Sequence, residues 1–111
     1  MDPARARELL SQERARIERE LARLGPPEGE PDPRDRADQG DELFEEERDA
    51  GLAEALRDRL AAIERAEGRI EEGTYGLSLK SGKPIPDARL EADPAAELTV
   101  EEQRARELGR G

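Results

Sequence analysis

Ser78 and Ser81 form one pair of polar side chains with two residues between them, and Thr99 and Glu102 form another. Paired cysteines at this spacing grip a single metal ion, and four such thiolates make a tetrahedral zinc site. The chain has no cysteine and no histidine. Serine and threonine hydroxyls keep their protons near neutral pH, which leaves Glu102 to offer one carboxylate. The four positions are therefore expected to be vacant of metal, with no zinc and no other cofactor. Local devices must then order the segment. The candidates are a turn at Ser81-Gly82, a capping box with Thr99 as N-cap and Glu102 three residues on, and packing of Tyr75, Leu77, Ile85, Leu90, Leu98 and Val100. The missing thiols and imidazoles also remove disulfides, cysteine nucleophiles and histidine bases. With no phosphate-binding loop either, an enzyme is not expected.

A second concentration of chemistry lies between Gly25 and Ala50, where eleven acids stand against three arginines, a net charge of −8 out of −10 for the whole chain. On composition alone a cluster this dense reads as a solvated or disordered surface loop, since like charges so close together cost folding stability. The same charge argues against direct nucleic-acid binding, since little excess cation is available to displace condensed counterions. Paired carboxylates are too frequent in this chain to identify a catalytic dyad.

The elements that position these groups follow from the apolar spacing. Hydrophobic residues make up 33% and charged residues 43% of 111 residues, too little apolar mass for a thick core. A two-helix seam needs only a narrow stripe. Leu10, Ile17, Leu21 and Leu24 supply one such stripe over residues 3 to 24, stopped by Gly25-Pro26-Pro27. Leu52, Leu56, Leu60, Ile63 and Ile70 supply a second over residues 41 to 72. The predicted fold is mainly α: a long antiparallel helical hairpin, or coiled coil, over 1–72, with an acidic tip loop at about 25–40. A small C-terminal module follows over 73–111, predicted as a short β-hairpin around Ser81-Gly82 and a terminal helix from Thr99 to about Leu108. No apolar run is long enough for a membrane span, and the expected location is cytoplasmic. The arginine-dominated basic set, 17 of 19, fits a GC-rich bacterial genome.

Gly73-Thr-Tyr-Gly76, Ser78-Leu-Lys-Ser81-Gly82, Pro84-Ile-Pro86, Arg89-Leu-Glu-Ala92 and Thr99-Val-Glu-Glu102 together resemble the finger of the DksA/TraR family, bacterial regulators that bind RNA polymerase. The module is then a degenerate, metal-free zinc ribbon. The resemblance also reaches the loop. Asp32-Pro-Arg-Asp35-Arg-Ala37 matches the family tip motif Asp-x-x-Asp-x-Ala, and Asp35-Arg-Ala37-Asp38, followed by Glu47-Arg48-Asp49, matches a second register used by shorter relatives. It implies that Asp32, Asp35, Ala37 and Asp38 contact RNA polymerase inside its secondary channel, with Asp35 and Ala37 common to both registers. The implied protein is a monomeric, non-catalytic regulator of transcription. The alternative is an acidic adaptor that keeps the fold and has lost polymerase binding. Asp93 stands where the family has an arginine that helps hold the alarmone ppGpp, so responsiveness to that nucleotide is not carried over. Arg89 matches a family position, with its role open.

Overall fold

The computed structural model describes residues 1–24 and 41–109; in the second helix, side chains are described from residue 48 onward. Among the described residues four helices follow one another: α1 (Pro3–Leu24), α2 (Asp41–Glu72), α3 (Asp87–Ala92) and α4 (Val100–Glu107). Pro3 opens α1, where a missing N–H costs nothing. Gly73 ends α2 at φ 80, and the amides of Thr74 and Tyr75 turn back onto the carbonyl of Arg69 at 2.9 and 3.2 Å. Glycine is the residue that adopts this left-handed conformation without a Cβ penalty. At 1.5 Å per residue α2 is about 48 Å long, close to the 53 Å long axis of the molecule. No helix among the described residues is long and apolar enough to cross a membrane.

The seam between α1 and α2 is built from Ala6, Leu10 and Ile17 on one side and Ile63, Ala66 and Ile70 on the other. Leu10, Ile17 and Ile63 are completely buried. The α2 stripe differs from the predicted one at its start, because Ala53 is buried and Leu52 is 42% exposed. Ala53, Leu56, Leu60, Ile63, Ala66 and Ile70 advance by three or four residues at every step. That keeps one face toward α1, whereas Leu52 lies a residue's rotation off it.

The seam continues into the C-terminal module. Ala95 belongs to the same buried cluster, and Tyr75 packs against both it and a second cluster of Ile85, Leu90 and Ala96. The predicted β-hairpin around Ser81-Gly82 is reduced to a single antiparallel bridge between Leu77 and Pro84. The bridge is closed by the Ile85 amide on the Gly76 carbonyl at 2.7 Å and the Ser78 amide on the Lys83 carbonyl at 2.8 Å; beyond it the Leu79 amide leaves the ladder and donates to the Glu97 carbonyl at 2.9 Å. Leu77 and Val100 were expected in the core and are 38% and 36% exposed. The helix α3 was not anticipated from sequence.

Candidate functional site

Asp32, Asp35, Ala37 and Asp38 lie outside the described residues. The geometry available for a site is that of the module and its junction with the hairpin.

The four vacant positions converge on one carboxylate. Ser78 is 4% exposed, and its hydroxyl donates to Glu102 Oε1 at 2.6 Å. The same oxygen of Ser78 accepts the amides of Lys80 at 3.1 Å and Ser81 at 3.2 Å. Glu102 Oε1 also accepts the Thr99 amide at 2.8 Å, while Thr99 Oγ1 accepts the Glu102 amide at 3.2 Å. This is the capping box anticipated from sequence. It satisfies orphan donors at the start of α4 reciprocally and is tied across the module by Ser78. Hydrogen bonds from the Ser78 hydroxyl first, then the Ser81 hydroxyl and the Thr99 amide, hold the Glu102 carboxyl down to about 2; donors aimed at the charged form favour it.

This donor set does not fit the zinc of a four-cysteine finger. Ser78 spends its proton on Glu102 and its lone pairs on two amides, so coordinating a metal would break bonds that shape the turn. Three neutral hydroxyls and one carboxylate also lack the soft, anionic ligands that make such a site strong. Among the described residues no three His, Cys, Asp or Glu side chains are grouped to hold a metal.

Around this knot the segment 87–97 is fastened to the hairpin by charge. Arg5 of α1 pairs with Glu91 at 3.1 Å. From α2, Arg59 meets Asp93 at 2.6 Å, Arg65 grips both carboxylate oxygens of Glu97 at 3.0 Å, and Arg69 reaches Glu97 at 3.2 Å. The Arg65 hydrogen bond, reinforced by the charges of Arg65 and Arg69, lowers the Glu97 pKa against a partial burial that would raise it. Asp93 also accepts the Ala95 amide at 3.3 Å, so it serves an internal role where the family pattern has an arginine. Arg89 gains a role as well, since its Nε donates to the Leu98 carbonyl at 2.8 Å and joins α3 to the connection that leads into α4. The Tyr75 hydroxyl donates to the Pro94 carbonyl at 2.7 Å, and burial pushes its pKa up. Gly76, at φ 85, lies close to α3: a Cβ there would stand 3.6 Å from Leu90 Cδ1.

A helical hairpin carrying this small module is also the shape of a solved relative. The transcription factor DksA2 from Pseudomonas aeruginosa is 30% identical, with a TM-score of 0.72 over 98% of this chain and 86% of that one. The chain belongs to the DksA/TraR family. No family model matches it. Within that family, 65 residues are 42% identical to the RNA polymerase-binding transcription factor DksA of Caulobacter vibrioides, covering 55% of this chain and 46% of that protein. General stress protein 16O of Bacillus subtilis is 40% identical over 67 residues, 60% of this chain and 41% of the relative. The uncharacterized protein YteA of the same organism is 47% identical over 64 residues, 58% of this chain and 27% of the relative. The match thus spans less than half the length of these curated relatives. In this DksA/TraR chain, the finger positions are held by a hydrogen-bonded carboxylate in place of thiolates.

Proposed function

We propose that this protein is a non-catalytic transcription regulator that binds RNA polymerase, acting as a monomer in the cytoplasm without direct contact to nucleic acid. The hairpin, residues 1–72, enters the secondary channel, and the acidic tip with Asp32, Asp35, Ala37 and Asp38 approaches the active centre. The module, residues 73–111, docks outside and fixes the angle of entry through its ion pairs to α1 and α2. One observation carries this reading: the hairpin and module match a transcription factor of the family across nearly the whole chain. The family resemblance supplies the channel and the tip motif. Net charge supports protein contact over nucleic-acid contact.

The test is a pull-down with core RNA polymerase, challenged by a known secondary-channel factor. Competition at micromolar concentration is the expected result. Binding that an occupied channel leaves untouched would sink the proposal and favour an adaptor role. Magnesium-dependent transcript cleavage that Asp35→Asn abolishes would overturn the non-catalytic assignment.

A further inference from the structure

The turn that follows Gly76 exposes two leucines, Leu77 at 38% and Leu79 at 58%. The main chain beneath them is fixed. The Ser78 amide donates to the Lys83 carbonyl at 2.8 Å, the Leu79 amide to Glu97 at 2.9 Å, and the Gly82 amide to Ser78 at 2.9 Å. Leu79 is therefore held outward by an ordered turn. It stands between two surface grooves of about 250 and 660 Å³ and lines both. Single exposed leucines are ordinary, but Leu77 and Leu79 line the same groove, and contiguous apolar surface rimmed by polar residues is a feature of contact sites.

The segment that carries this knuckle has a charge of opposite sign to that of the chain as a whole. Residues 73–86 contain Lys80 and Lys83, the two lysines of the chain, and no acid, in a protein of net charge −10. The acids that line the smaller groove already serve internal partners, Glu97 with Arg65 and Arg69 and Glu102 with Ser78. The larger groove is also lined by Glu72, with Arg65 and Arg69, so the cationic border lies on the Lys83 side. There the surface offers an apolar centre beside a cation, which complements an acidic protein surface with an apolar contact of its own. Two lysines displace too few counterions to hold a nucleic acid.

We propose that Leu77, Leu79 and Lys83 form a docking surface for an acidic, apolar-centred patch of a protein partner, which on the reading above is RNA polymerase outside its channel. The inference rests on that reading and adds the residues through which the module makes contact. The experiment measures affinity of the full chain for core polymerase at two salt concentrations, for wild type, Leu79→Ser and Lys83→Glu. Circular dichroism of each variant confirms the fold, since Leu79 and Lys83 both lie outside the buried clusters. Leu79→Ser is expected to weaken binding about tenfold, equivalent to ~1.4 kcal/mol. Lys83→Glu is expected to weaken it similarly at low salt, with the difference shrinking as salt screens the pair. Wild-type binding with neither variant impaired overturns the docking surface and leaves the channel reading standing. Failure of the wild type to bind overturns both. An effect of Leu79→Ser confined to self-association also overturns the proposal.

Discussion

Replacing Ser78 by alanine tests whether the hydrogen-bonded knot supports the module as a metal supports a four-cysteine finger. The substitution removes one charge-assisted bond to Glu102 and the acceptor of two amides. An ordinary hydrogen bond contributes about 1 kcal/mol net, and a buried donor left unsatisfied costs about 1–3 kcal/mol. Lys80 and Ser81 are exposed residues, so water takes over part of the two amide bonds, which puts the total near ~2–3 kcal/mol. For a small protein with a urea dependence of about 1.5 kcal/mol per molar, the midpoint should fall by roughly 1–2 M. The chain supplies its own local probe, because Tyr75 is its one tyrosine and there is no tryptophan. Tyr75 sits in the module with its hydroxyl on Pro94, so tyrosine emission reports the module while far-ultraviolet circular dichroism reports chiefly the long helices. A tyrosine midpoint that moves by less than about 0.3 M, within the error of such measurements, would refute the reasoning and leave apolar packing as the support.

Three further outcomes follow from the same geometry. The Glu102 carboxyl is held at about 2, below its ordinary 4.5, so its contribution is present above pH 4.5 and is lost as pH falls toward 2; Glu102→Gln should flatten this part of the acid profile of tyrosine emission, and an unchanged profile would count against the carboxylate. A strong chelator should leave the urea midpoint unchanged, whereas a fall on chelation would reveal a bound metal. Ile63→Ala, at a completely buried seam position, should cost about 2–4 kcal/mol through lost transfer energy and a residual cavity, read as an earlier thermal transition at 222 nm; a loss below about 1 kcal/mol would mean that the seam closes around the cavity.

The seam was legible because its information is local and periodic. Leu10, Ile17, Ile63 and Ile70 announce one face by their spacing, and the capping box at Thr99 and Glu102 is spelled within four residues. The contact of Ser78 with Glu102 was not legible, because it spans 24 residues and depends on how the module closes. The same holds for Arg59 with Asp93 and Arg65 with Glu97, which composition presents as ordinary surface charges. The short helix α3 was missed although Asp87 at its first position suits the positive end of a helix dipole; six residues are too few for an apolar period to show. Leu77 and Val100 were assigned to the core by type alone, where the closed turn and the start of α4 turn them outward. The tip residues Asp32, Asp35, Ala37 and Asp38 rest on motif alone, outside the described residues.

The arginines of α2 bear on how this architecture can be recombined. Arg69 is 9% exposed and pairs with Glu97, which in turn is held by Arg65. A chimera that joined this hairpin at residue 72 to a cysteine-bearing finger lacking Glu97 would strand a buried cation, a severe penalty for any fold. The smallest transplantable piece is therefore larger than the finger: it includes the last turns of α2 back to Arg59, so grafts should be cut within the helix and not at its end.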